Sequence, residues 1–194
     1  MLVTAQPPHY LPGLAYLDQL AKADRFIVLD EAPFEPHSLQ HRQRVRLPDG
    51  PGWLTVPVQA HGDRICDQRI DNAQPWQLRT WRTLETNYRR ARYWTVYADE
   101  LRDVFTRRWT NLVDLDLHVL GLALRWLAID TEVVRSSRCA ALAPARCDDH
   151  FEHPVYAQRY ERGFDKDLAF IDLVLNCGPA SREIAWPTIR SRAA

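Results

Sequence analysis

Residues 1–31 read MLVTAQPPHYLPGLAYLDQLAKADRFIVLDE, and this stretch decides the fold class. Met1–Ala5 is a short apolar start that reads as a strand. Gln6-Pro-Pro-His-Tyr-Leu-Pro12 is a loop, because its prolines remove backbone donors and fix φ. Leu14, Leu17 and Leu20 then recur at helical spacing, and Phe26–Leu29 reads as a buried strand ending at Asp30-Glu31. A β-loop-α-β opening favours an α/β class.

Outward from this start, Arg42–Leu47 alternates, with Arg42, Arg44 and Arg46 on one side and Val45 and Leu47 on the other. Pro48-Asp-Gly-Pro51 is a turn and Trp53–Val58 a second strand, which together make a hairpin. Residues 76–90 form an amphipathic helix with Leu78, Trp81, Leu84 and Tyr88 expected on its core face and Arg79, Arg82, Arg89 and Arg90 beside them. Residues 95–105 and the nearly all-apolar 111–127 are further helices, and Glu132–Arg135 is a short strand. Residues 168–177 form a buried helix stopped by Gly178-Pro179. The expectation is an α/β fold: a mixed or mostly parallel sheet flanked by helices, with a β-hairpin near 42–58 and a largely helical middle (76–127).

The chain has 194 residues, which fits a single domain over 1–194. Hydrophobic residues make up 46% and charged residues 26%, which excludes an intrinsically disordered chain. Lys+Arg and Asp+Glu are both 25, so the net charge is zero, and neither nucleic acid nor a membrane surface is an expected partner. No apolar run approaches the roughly 20 residues of a membrane helix. The N-terminus lacks the basic start of a secretory signal. Cys66, Cys139, Cys147 and Cys177 are scattered, so reduced thiols and a cytoplasmic location are expected. No glycine-rich phosphate cradle and no GxSxG elbow is present.

Several residues carry possible chemistry, each with a structural reading beside the functional one. His9, in a loop between strand and helix, is either a general acid/base or a loop histidine beside a packed Tyr10. Asp30 either meets a ligand beyond its strand or caps the next turn. The Arg42/Arg44/Arg46 strip places guanidiniums about 7 Å apart, suited to an anion or to a solvated strand face. Asp116 falls in the middle of the apolar face of its helix, where a carboxylate is costly unless paired. Asp172 and Asn176 are i,i+4 neighbours on an apolar helix, so they wall a pocket or satisfy backbone groups near the helix end. Cys147, His150 and His153 are zinc ligand types, but their spacing matches no familiar finger. No metal site is assigned there, and no cofactor is expected.

Pro8-His-Tyr-Leu-Pro12, Leu17-Asp18, Ala21-Lys-Ala-Asp24 and Val28-Leu-Asp30 resemble the start of the WbqC-like family. The resemblance continues through Gln40-His-Arg-Gln-Arg-Val-Arg46, Trp53-Leu-Thr-Val-Pro57 and the helix ending at Tyr88. It returns at His153-Pro-Val-Tyr156 and Ile171-Asp-Leu-Val-Leu-Asn-Cys-Gly178, and covers about 1–135 and 152–184. It implies a bacterial protein of surface-polysaccharide (O-antigen) or small-molecule biosynthesis. A transferase moving an acyl or aminoacyl group onto an amino sugar or another amine fits that setting. Tyr10, Asp30, Arg42, Arg44, Trp53, His153, Tyr156, Asp172 and Asn176 lie on its motifs. Asp30 and Asp172, together with His9 of the first loop, are the expected proton-handling residues. Tyr10, Arg42, Arg44, Trp53, His153, Tyr156 and Asn176 are expected to bind an anionic or nucleotide-linked small molecule.

The chain also departs from the family pattern. Gln6-Pro-Pro-His-Tyr10 stands where the family reads His-Gln-Pro-x-Tyr, Gly13 where Trp is common, and His41 where Asn is common. Ser136–Phe151 replaces a longer segment, so the family region is read as shortened around 136–151. A missing strand would leave a sheet edge uncovered, which self-association can cover. The alternative reading is a non-catalytic binding or assembly protein, and a homo-oligomer is compatible with both.

Overall fold

Two short parallel pairings set the frame. In a computed structural model that describes residues 1–59, 61–139, 151–160 and 163–187, β1 (Val3–Gln6) pairs in parallel with β2 (Arg25–Val28), from Val3↔Arg25 to Gln6↔Val28. The crossover between them is α1 (Leu14–Lys22), whose buried Leu14, Tyr16, Leu17 and Leu20 follow the helical period. Strand β2 pairs in parallel on its other side with β7 (Glu132–Arg135), giving the order β1-β2-β7. The mixed α/β expectation holds.

Everything between β2 and β7 is one long excursion. β3 (Arg42–Leu47) and β4 (Gly50–Thr55) form the expected antiparallel hairpin, with Arg44 opposite Trp53. Its second strand begins at Gly50 and ends at Thr55, earlier than the apolar pattern indicated, and it forms its own sheet instead of joining the parallel one. Two-residue strands β5 (Val58–Gln59) and β6 (Arg69–Ile70) follow. Then come α2 (Trp76–Tyr88), α3 (Trp94–Thr106) and α4 (Leu112–Trp126).

Helix α2 corrects one reading. Its core row is Trp76, Thr80, Leu84 and Tyr88, whereas Leu78 is 48% exposed. Trp76 anchors the i, i+4 row, and a residue two places on lies about 200° around the helix. The four arginines at 79, 82, 89 and 90 are solvated, as the pattern predicts.

Helices α5 (Phe170–Cys177) and α6 (Ser181–Ala185) complete the described chain. Gly178 ends α5 at φ 58, and a side chain there would run into the ring of Tyr93. The core gathers α1, α4, α5 and β2, with Leu17, Phe26, Leu115 and Phe170 fully buried. Among the described residues no helix is long and apolar enough to cross a membrane.

Candidate functional site

The loop after β1 is built to present His9. Just after it the chain is pinned inward: Tyr10 and Leu11 are fully buried, and the Tyr10 N–H donates to the Leu39 carbonyl at 2.9 Å. Leu11 takes φ 45, a left-handed conformation that a side-chain-bearing residue holds only when its surroundings enforce it. His9 stacks on Tyr16 of α1, ring centroids 4.5 Å apart. Its Nδ1 is buried without a hydrogen-bond partner, and burial pushes its pKa down to about 4. The ring is therefore neutral at pH 7.

His9 and Tyr16 line a cavity of about 180 Å³ at the end of β1. Gln6, Gln19 and Gln43 supply carboxamides to its wall, and His153 and Asp167 close it from the C-terminal half of the chain. Gln6 Nε2 donates to Gln19 Oε1, and Gln43 Oε1 accepts the Arg44 N–H at 2.8 Å. His153 Nε2 donates to Asp167 Oδ1 at 2.8 Å, and the Arg44 guanidinium approaches Asp167 Oδ2 at 3.6 Å. Asp167 takes φ 58, a conformation that Asp tolerates better than most residues. The arrangement is a histidine oriented by a carboxylate, facing a second, neutral histidine.

The other expected site residues lie elsewhere. Arg42 packs its guanidinium 4.3 Å from the centroid of the Trp53 ring, with Arg44 at 5.7 Å. Trp53 is half exposed on the hairpin and belongs to a separate hollow beside α2. Arg46, the third member of the strip, is buried against residues 159–160 and 163–165. It donates to the carbonyls of Arg159, Tyr160 and Gly163 and pairs with Asp165.

Asp172 is wholly buried, accepting from the hydroxyls of Tyr88 at 2.7 Å and Tyr156 at 2.9 Å. Burial raises its pKa, against the lowering effect of these hydroxyls and of Arg46. Asn176 donates to the Asp172 carbonyl at 2.7 Å, one helical turn back. Asp30 is equally buried. Burial alone would raise its pKa, but the Ser137 hydroxyl and N–H, Arg135 and Ser136 outweigh it and hold the carboxyl at about 2. Those bonds tie the end of β2 to the chain leaving β7.

Asp116 is buried with neither carboxyl oxygen hydrogen-bonded among the described residues, and burial pushes its pKa far upward. The structure thus brings His9, His153 and Arg44 to one place, leaves Tyr10 in the core, and holds Asp30, Tyr156, Asp172 and Asn176 in hydrogen-bonded networks off the cavity wall. Of the candidate zinc ligands, Cys147 and His150 lie outside the described residues. Among the described residues no group of three His, Cys, Asp or Glu side chains could hold a metal ion.

Sequence reasoning missed Asp167 and Gln43. Gln43 carried a signal, since it occupies a buried position on the face that Val45 and Leu47 mark as apolar. Asp167 carried none beyond its place after Gly163.

The WbqC-like protein family model matches residues 6–149, and the chain belongs to that family. His9, Gln43 and Arg44 fall within the matched stretch, and His153 and Asp167 follow it. An uncharacterized protein of Mycobacterium tuberculosis, Rv1507c, is 32% identical over 132 residues, covering 66% of this chain and 57% of its own length. The chain therefore spans little more than half of that relative. No solved structure matches the chain.

Proposed function

We propose that this protein is a biosynthetic group-transfer enzyme that moves an acyl or aminoacyl group onto an amine of a small molecule. The observation that carries the reading is the His153–Asp167 pair on the wall of the cavity that His9 also lines. An amine attacking an acyl carbonyl must lose a proton. His153 accepts it at Nδ1, since Nε2 is committed to Asp167, and Asp167 stabilises the imidazolium that forms. The same proton then passes to the departing group as the acyl–donor bond breaks and the amide bond remains. His9, desolvated and neutral, supplies a second polar contact without adding charge. Membership of the WbqC-like family supports an amino sugar or comparable amine of surface-polysaccharide or small-molecule biosynthesis as the acceptor.

The test is a mass-spectrometric screen of the purified chain against acyl and aminoacyl donors paired with amino-sugar nucleotides. Amide product is expected, and His153→Ala and Asp167→Asn are expected to lower its rate by about 10²–10⁴-fold while the protein stays folded. Ligand binding without product, or turnover unchanged in both variants, rejects the reading and favours a binding or assembly protein.

A further inference from the structure

The same cavity holds a second feature that the acid–base pair does not use. Helix α1 opens directly into it, with Gly13, Leu14, Ala15 and Tyr16 on the wall. Its N-cap is Gly13, which has no capping side chain, and its first turn contains no acidic residue. The first intrahelical bond runs from the Leu17 N–H to the Gly13 carbonyl at 3.2 Å. Ala15 and Tyr16 donate their backbone N–H groups to no acceptor among the described residues. Unpaired first-turn amides and the positive end of the helix dipole attract negative charge.

A second and independent donor points to the same spot. Gln43, on β3, is only 2% exposed, and its Oε1 is already engaged by the Arg44 N–H. Its Nε2 donates to nothing among the described residues. That nitrogen sits 3.7 Å from where a Cβ on Gly13 would stand, so it is aimed at the start of α1. With its acceptor used, this carboxamide keeps a donor for a group in the cavity that Gln43 lines.

The acidic charge on the described cavity wall is offset by its partners. Asp167 is the one acidic residue among the described wall residues, and its carboxylate is shared between His153 and Arg44. His9 stays uncharged because burial opposes its protonation.

We infer that the first turn of α1 and Gln43 Nε2 together form a receptor for an oxyanion, the carboxylate or phosphate oxygen of a ligand in this cavity. The inference deepens the transfer reading by giving its substrate a negatively charged group, and it rests on that reading only in sharing the cavity. Gly13 matters because it keeps the floor open: a Cβ there would stand 3.4 Å from the Leu168 carbonyl oxygen and reach toward Gln43 Nε2. Its φ of −81° is open to alanine, so Gly13→Ala narrows the receptor without backbone strain.

The experiment is an amide-resolved NMR titration of the intact chain with sodium acetate, sodium phosphate and neutral acetamide at matched ionic strength. Saturable shifts of the Ala15 and Tyr16 amides and of the Gln43 side-chain NH₂ are expected with at least one anion and not with acetamide. Saturation by acetate alone assigns a carboxylate ligand, and saturation by phosphate assigns a phosphorylated one. Gln43→Glu keeps the acceptor for Arg44 and replaces the donor with negative charge, so it should weaken anion binding at least about tenfold. Gly13→Ala should weaken it too, and serves if the first variant fails to fold. Equal response to acetamide, shifts that do not saturate, or unchanged affinity in both variants overturns the inference. Saturable anion binding by the unsubstituted chain, with no amide product in any donor screen of that same chain, sinks the transfer reading alone. Transfer without anion binding sinks the receptor alone.

Discussion

At the scale of single residues, burial and partners decide what each carboxyl does. Asp30 and Asp116 are both enclosed, yet their pKa values move in opposite directions. Asp30 receives four hydrogen bonds, including one from a guanidinium, and stays ionised down to about 2. Asp116 receives none and resists ionisation. A carboxyl whose folded pKa is depressed stabilises the fold above its unfolded pKa and loses that contribution as the pH falls. Asp30→Asn is therefore expected to cost about 2 kcal/mol at neutral pH. The deficit should shrink as the pH drops from about 4 to about 2. Urea unfolding of both proteins at pH 7 and across the acid range measures it.

At the scale of elements, the segment of residues 151–160 and 163–167, which forms neither helix nor strand, is held by side-chain hydrogen bonds. Arg46 supplies most of its anchors on one side, and the Tyr160 hydroxyl bonds to the Asn87 side chain at 2.8 Å on another. Gln158 ties the segment to itself, donating to the Asp165 carbonyl at 2.8 Å and accepting the Asp165 N–H at 2.9 Å. This bracing carries His153 and Asp167 to the cavity from opposite ends of one loop. Arg46→Met keeps an unbranched apolar stem but leaves Asp165 and three carbonyls without their donor. It should destabilise the protein by roughly 3 kcal/mol, because removing one partner of a buried pair strands the other. Amide exchange between Tyr156 and Asp165 should accelerate while α4 stays protected, as hydrogen-exchange mass spectrometry would show. Uniform protection in the variant would mean that the segment is held by something else.

At the scale of the whole molecule, the pH dependence of stability sums opposing groups. His9 and Asp30 lose stability on acidification, since the unfolded chain takes up protons that their folded environments refuse. Asp116 acts the other way, because the folded state holds a proton that the unfolded state has released above pH 4. Asp116→Asn removes that penalty. Its stability relative to the natural chain is expected to rise with pH by up to about 1.4 kcal/mol per unit above pH 4. Parallel denaturation curves from pH 4 to pH 8 test this, and a constant difference would show that Asp116 finds a partner on folding.

Much of this molecule was legible in its residues. The β-loop-α-β start, the hairpin, the three middle helices and the Gly178 stop all follow from periodicity and from proline and glycine, because such signals report neighbours within about four residues. Asp116 and the Asp172–Asn176 pair also stood out locally, since a polar residue on an apolar helix face is visible without any tertiary contact. What they face was not visible. The elements, their class and the polar residues that needed partners follow from local pattern alone. It takes the folded chain to show that Arg46 braces a loop, that Asp30 ties β2 to the end of β7, and that His9, Gln43, His153 and Asp167 meet in one cavity. Those residues are separated by up to 158 positions. Their meeting depends on how the parallel pairing of β1 with β2 and the bracing by Arg46 close the chain, and no local pattern records that.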